Sequence, residues 1–239
     1  MDENHPVLVK MNDLLATWEA ANDQRRVFLS CYRLMTQNIL AAIDAKEFED
    51  VVWVATLMES FAGYYFQALE ADESEQTNPP TAWKIAFSAS HSPHIHVLQN
   101  LMLGVNAHIN RDLVFAITEL LAPEWQQASP EQRQMRYRDH CHVNEVINGT
   151  INAVQDQVID RFEPEFRVVD TLLGPLDEWM TSLLISRWRE EVWEHVIHLV
   201  DPDPDTDRQT LIQRVEQGSV KRAHEILGQG GVAGLVDLI

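Results

Sequence analysis

Apolar residues recur along this chain at steps of three and four, and no convincing strand-like alternation appears, so the pattern predicts helices from end to end. The first covers Pro6 to Ala21. Asn22 is placed to cap a second, which turns Phe28, Tyr32, Met35, Ile39 and Ile43 inward. A third runs from Asp50 to Leu69 with Trp53, Met58, Phe61 and Tyr65 on its inner side. Residues 71–80, ADESEQTNPP, are polar and end in two prolines, as a loop does. A short helix then carries Trp83 and Phe87, and Ser92-Pro93 supplies the hydroxyl and proline of a further helix start. That helix reaches Leu121, where Ala122-Pro123 stops it. Another spans Glu131 to Phe162, and a linker at Gly174-Pro175 leads into a tryptophan-rich helix from Asp177 to Val200. An acidic loop, DPDPDTD at 201–207, precedes one or two shorter helices. The tail, 228–239, is glycine-rich and then apolar, and is expected to dock on the body or on a second copy in a homodimer. With no repeat and no break in composition, the expectation is an all-α, single-domain multi-helix bundle over 1–239.

The helix from Pro93 to Leu121 lies at the centre of that bundle. On a wheel of about 100° per residue only Asn100, Gly104, Ala107, Arg111 and Thr118 form a sector fit to face water. Nearly everything else is apolar, and a helix apolar almost all round is a buried one. Four polar residues nevertheless fall inside the apolar arc. Asn106 and Asn110 lie together, four apart, and so do His108 and Asp112 on another side. Burying such groups without partners costs about 2–7 kcal/mol each, and more for a carboxylate, so they must be paired or line a wet cavity. Two readings stand side by side: a hydrogen-bonded network that sets helix register, or a pocket in which Asp112 orients His108 as a general base.

The helix from Glu131 to Phe162 repeats the anomaly. Val143, Val146, Ile147, Ile151, Val154 and Val158 set its apolar face, and Arg136, Asp139 and His140 project into it, with Asn144 at its edge. Arg136 and Asp139, three apart, have the spacing of an intrahelical ion pair. On the tryptophan-rich helix Arg189 projects toward Trp193 and the apolar side, while Arg187, Glu190 and Glu194 point away. A buried arginine usually has a carboxylate partner, and Asp112 and Asp139 are the candidates.

The segment LQNLMLGVNAHINRDLVFAI is similar to the signature of a bacterial family of unknown function numbered 5995, and its specific element is Asn106-Ala-His108-Ile-Asn110-Arg-Asp112. FLSCYRLMT, FAGYYFQAL, PTAWKIAF, RYRDHCHVNEVI and WREEVW fit the same pattern, so the resemblance runs from Val27 to Trp193. It implies a helical, soluble protein and no particular activity. It singles out Asn106, His108, Asn110, Asp112, Asp139, Asn144 and Arg189 as motif positions, largely the residues isolated by the wheel.

Composition narrows the function classes. The formal charge is −19, from 18 basic and 37 acidic residues, and a surface this acidic repels nucleic-acid phosphates and anionic headgroups. No apolar run approaches a membrane span, and the amino terminus lacks a secretory pattern, so the expected address is the cytoplasm. Cys31 and Cys141 have no CxxC partner and are expected as reduced thiols in or near the core. His91, His94 and His96 cluster at a helix start, and Glu191, His195 and His198 form a stripe on the outer side of theirs. Neither spacing fits a standard metal site, and Asp139-x-x-His142 alone falls short of a di-iron bundle. No metal and no cofactor is expected. The acidic loop lacks the glycine and final glutamate of a calcium loop, and no P-loop, Rossmann or nucleophile-elbow motif is present.

Two functions follow. In one the protein is a small-molecule hydrolase or related enzyme, with His108 as base, Asp112 as its orienting partner, and Asn106, Asn110, Arg136, Asp139, Asn144 and Arg189 around the ligand. In that reading Arg189 binds an anionic group. In the other the protein is a non-catalytic module for a small ligand or a partner protein, and the polar cluster is structural.

Overall fold

A computed structural model of the chain describes residues 4–74, 76–154, 157–158, 160–162 and 176–228. Among these the regular structure is helical throughout, with no strand. The chain runs through α1 (Pro6–Ala20), α2 (Arg25–Asp44), α3 (Val51–Glu73), α4 (Thr81–Ser90) and α5 (Val97–Ala107). A π-helical segment (His108–Leu113) joins α5 directly to α6 (Val114–Leu121). There follow α7 (Pro130–Asn148), two short turns (Ile151–Val154 and Asp160–Phe162), α8 (Leu176–Val200) and α9 (Arg208–Gly228). No helix among the described residues is long and apolar enough to cross a membrane.

Local chemistry explains where most helices begin. Pro6 stands in the first turn of α1, and the Asp50 side chain accepts from the Trp53 amide at the start of α3. Ser129 and Gln132 form a reciprocal capping box on α7, with Pro130 between them. Two starts differ from expectation. Asn22 does not cap α2: it sits in the preceding turn at φ 54°, and the Asp23 carboxylate accepts from the Arg25 amide instead. The central helix begins at Val97 rather than at Pro93, because His96 and Gln99 make a capping box. The Ser92 hydroxyl accepts from the amide of His94, in a turn.

Other boundaries shift as well. α3 continues to Glu73, past the start of the expected 71–80 loop, and ends where Ser74 turns extended. The helix expected from Glu131 to Phe162 ends at Asn148, where Gly149 and Thr150 form a turn. A single 21-residue helix, α9, follows the 201–207 loop. The Gly174-Pro175 linker and the tail from 229 lie outside the described residues.

The rod formed by α5, the π segment and α6 is the axis of the packing, touched along its length by α2, α3, α4, α8 and α9. Leu103, Leu113, Val114, Ile117 and Leu121 on it are almost fully buried, each contributing about 1.5–3 kcal/mol by leaving water. The sector expected to face water does not. Asn100 donates to the Gln24 carbonyl at 3.1 Å, Ala107 and Thr118 are buried, and Arg111 bridges two carboxylates. A Cβ on Gly104 would lie 2.5 Å from the Phe28 ring, so only glycine lets α2 come this close. Neighbouring helices cover the weakly polar stripe as completely as the apolar ones.

Candidate functional site

Asp112, fully buried on the π segment, organises the first polar cluster. Its Oδ1 accepts from Arg111 Nη1 at 2.7 Å, and its Oδ2 accepts from Trp83 Nε1 at 2.7 Å and lies 3.1 Å from His108 Nδ1. Arg111 in turn donates to Glu216 on α9 at 2.9 Å. The carboxylate can only accept, so the His108 proton sits on Nδ1 and the lone pair on Nε2. Burial pulls the imidazole below its ordinary pKa, against the hydrogen bond and charge of Asp112, which raise it. His108 is therefore a neutral base at neutral pH. Its ring lies flat on Phe61 (centroids 3.6 Å apart, planes 8° apart) and meets Tyr32 nearly edge-on at 4.4 Å. Nε2 has no hydrogen-bond partner among the described residues.

His108 is also a wall of a cavity of about 120 Å³. Tyr32, Met35 and Ile39 of α2, Leu57, Met58 and Phe61 of α3, Ile109 and Leu113 of the π segment, and Val143 and Ile147 of α7 make that wall almost wholly apolar. Cys31 lines it as well, and burial pushes its thiol up to about 12, so it stays protonated.

Among the described residues the one cation on this wall is Arg189 of α8, 3% exposed. Its Nε donates to Asn144 Oδ1 and its Nη2 to the His140 carbonyl at 3.1 Å. The His140 ring closes the arrangement, with Nε2 donating to the Arg189 carbonyl at 3.0 Å. Burial, and then the Arg189 charge, hold His140 well below the ordinary histidine range. No carboxylate among the described residues lies within ion-pair distance of Arg189, and burial lowers its pKa to about 10. The partner expected for it, Asp112 or Asp139, is engaged elsewhere.

Asp139 accepts from the amides of Glu49 and Asp50, both at 2.8 Å, and so pins the loop before α3 onto α7. Arg136 does not pair with it. Arg136 donates to Asp50 at 2.6 Å and Glu124 at 2.9 Å, with its guanidinium over the Trp53 ring. Asn106 donates to the Ser219 carbonyl at 2.8 Å and Asn110 to Asn106 at 3.0 Å, tying the rod to α9. Of the residues read from the sequence, the structure thus brings His108 and Arg189 to the cavity wall, with Asp112 and Asn144 behind them as their hydrogen-bond partners. It sets Asn106, Asn110, Arg136 and Asp139 apart from it. His91 Nδ1 pairs with the Phe87 carbonyl and His96 caps α5. Glu191 pairs with Arg222 and Arg187.

Sequence reasoning missed Trp83, Arg111, Tyr32 and Phe61 as parts of this site. For Trp83 a signal existed: a buried indole needs an acceptor for its N–H.

A family described as "Family of unknown function (DUF5995)" matches residues 5–229. No curated protein and no solved structure matches the chain.

Proposed function

The chain belongs to this family of unknown function, and from the cavity we propose that the protein is a small-molecule enzyme of the hydrolase or related acid–base class. His108 is its general base and Asp112 the residue that positions it. The observation that carries the reading is His108 Nε2: a neutral, buried ring nitrogen on a cavity wall, with no partner among the described residues, while Nδ1 is tied to a carboxylate. Buried polar atoms are nearly always satisfied, so one left open beside a cavity is a place for a ligand proton. In this mechanism Nε2 takes a proton from a bound molecule or from water. Asp112 holds the tautomer and stabilises the imidazolium that results, and Trp83 and Arg111 hold Asp112. The substrate is a small molecule with a mostly apolar body, and the acidic surface argues against nucleic acid. Two free thiols accord with a cytoplasmic setting.

A second reading, a binding module without chemistry, draws support from the saturation of Asp112 by three donors, which is also what a structural network requires. The test is a panel of small apolar esters, lactones and carbon acids in heavy water, followed by NMR for hydrolysis or deuterium uptake. Turnover should fall at least about 100-fold in His108→Gln and less in Asp112→Asn. Nitrogen NMR of the imidazole should show Nδ1 protonated at pH 7. A proton on Nε2, or turnover indifferent to His108→Gln, would overturn the reading.

A further inference from the structure

A buried guanidinium without a counter-charge is costly, because its desolvation is not offset by an attracting carboxylate. Among the described residues Arg189 is in that position, and its acceptors, the Asn144 amide oxygen, the His140 carbonyl and the His140 ring nitrogen Nδ1, are neutral. They orient the guanidinium without neutralising it. Asp112, near the cavity, has its own cation in Arg111. Among the described residues the wall therefore carries one uncompensated positive charge, and the rest of it is apolar apart from His108 and a few small polar groups.

Resting on the reading of the cavity as a substrate site, we propose that the ligand is a small monocarboxylic acid with a compact, branched apolar body, whose carboxylate pairs with Arg189. Charge sets the head group. One cation balances one negative charge, and a planar carboxylate matches the guanidinium fork. A phosphate dianion would leave an unbalanced charge in an apolar cavity. Volume sets the body. An apolar cavity of about 150 Å³ holds a benzene ring, and this one, about 120 Å³, is smaller and takes a compact branched chain. Phe61, Tyr32 and Met58 offer it faces and edges of matching chemistry.

The experiment is a calorimetric titration of the full chain at pH 7 with pivalate, its neutral isostere pivalamide, and tert-butyl phosphate. Pivalate should bind at least about ten-fold tighter than the amide, a difference of about 1.4 kcal/mol, and tighter than the phosphate. In Arg189→Met the acid and the amide should bind alike. Equal binding of acid and amide by the parent protein, or a preference for the phosphate, overturns the proposal. The comparison within the parent protein needs no variant, so it stands even where Arg189→Met fails to fold. His108→Gln should keep the preference for the acid. A preference that survives alongside turnover indifferent to His108 sinks the base and leaves the ligand class. The reverse result sinks the ligand class alone.

Discussion

The two ends of α7 bury the same kinds of residue and use them differently. Toward its amino-terminal end, Arg136 has two carboxylates and Asp139 has two backbone amides, so every charge meets its complement. Toward the other end, Asn144 and the His140 carbonyl hold an arginine that has no carboxylate among the described residues, on the wall of a cavity it shares with a histidine that has one nitrogen unmatched there. The first arrangement is finished within the chain. The second leaves a charge and a lone pair open among the described residues. Burial alone does not separate the two, since Asp139 and Arg189 are almost equally inaccessible. What separates them is whether the partners balance in charge and number, and that is the observation from which function is read here.

The largest effect expected from this contrast is at Asp139. Asp139→Ala strands two amides and frees the loop they anchor, at about 3–5 kcal/mol, or on the order of 10 °C in melting temperature for a chain of this size. A thermal melt of the variant checks it. A loss below about 1 kcal/mol would mean that the clamp is no more than a surface contact.

Acid should separate the two regions next. His108 and His140 both lie below the ordinary histidine value when folded, chiefly through burial. The unfolded chain therefore takes up protons below about pH 6.5 while the folded one does not. Their contribution is fully present above that pH and drains away as pH falls toward the folded values, at up to about 1.4 kcal/mol per unit for each ring. Asp50 behaves differently. Burial raises its pKa, but the hydrogen bond and charge of Arg136 outweigh this and the net shift is downward. Its share persists above the ordinary aspartate range and is lost only as pH falls through the lower folded value. Urea melts between pH 7.5 and 3 should show two losses, and His108→Gln should diminish only the upper one. An unaltered upper loss would remove His108 from the account.

The smallest effect is the most telling. Arg189→Met replaces an unbalanced buried charge with an apolar chain of similar length, and stability should hold within about 1 kcal/mol or rise. Arg136→Met should lose stability, because Asp50 and Glu124 are left without their cation. Urea denaturation of the pair checks the sign. A sharp loss in Arg189→Met would show that its neutral partners suffice and that the cavity needs no anion.

These differences were only partly legible in the residues. The three- and four-step spacing reads out the helices, because one apolar stripe per helix is what a bundle demands. Starts are harder, since several capping groups compete within a few residues: Asp23 wins over Asn22, and His96 with Gln99 over Ser92. The pairs Asn106/Asn110 and His108/Asp112 are visible because four residues is one turn. Their outside partners come from elsewhere in the chain. Trp83 is 29 residues from Asp112, Glu49 is 90 from Asp139, and Asn144 is 45 from Arg189. Nothing local marks them. The expected Arg136–Asp139 pair shows the hazard in reverse, since correct spacing on one helix lost to better partners on the neighbouring loops.

The π segment has a consequence for how this chain can vary in length. A π turn amounts to one residue more than the α-helical repeat accommodates, so α6 is out of phase with α5 by about 100°. Point substitutions in His108–Leu113 leave that offset in place. Loss of a single residue there would let the rod relax to α-helix throughout and rotate the two halves against each other. Ile117 and Leu121 would then leave the contacts they now make, or His108 would swing from the cavity. The phase of the rod thus depends on the count of its residues, and its length decides where His108 lies.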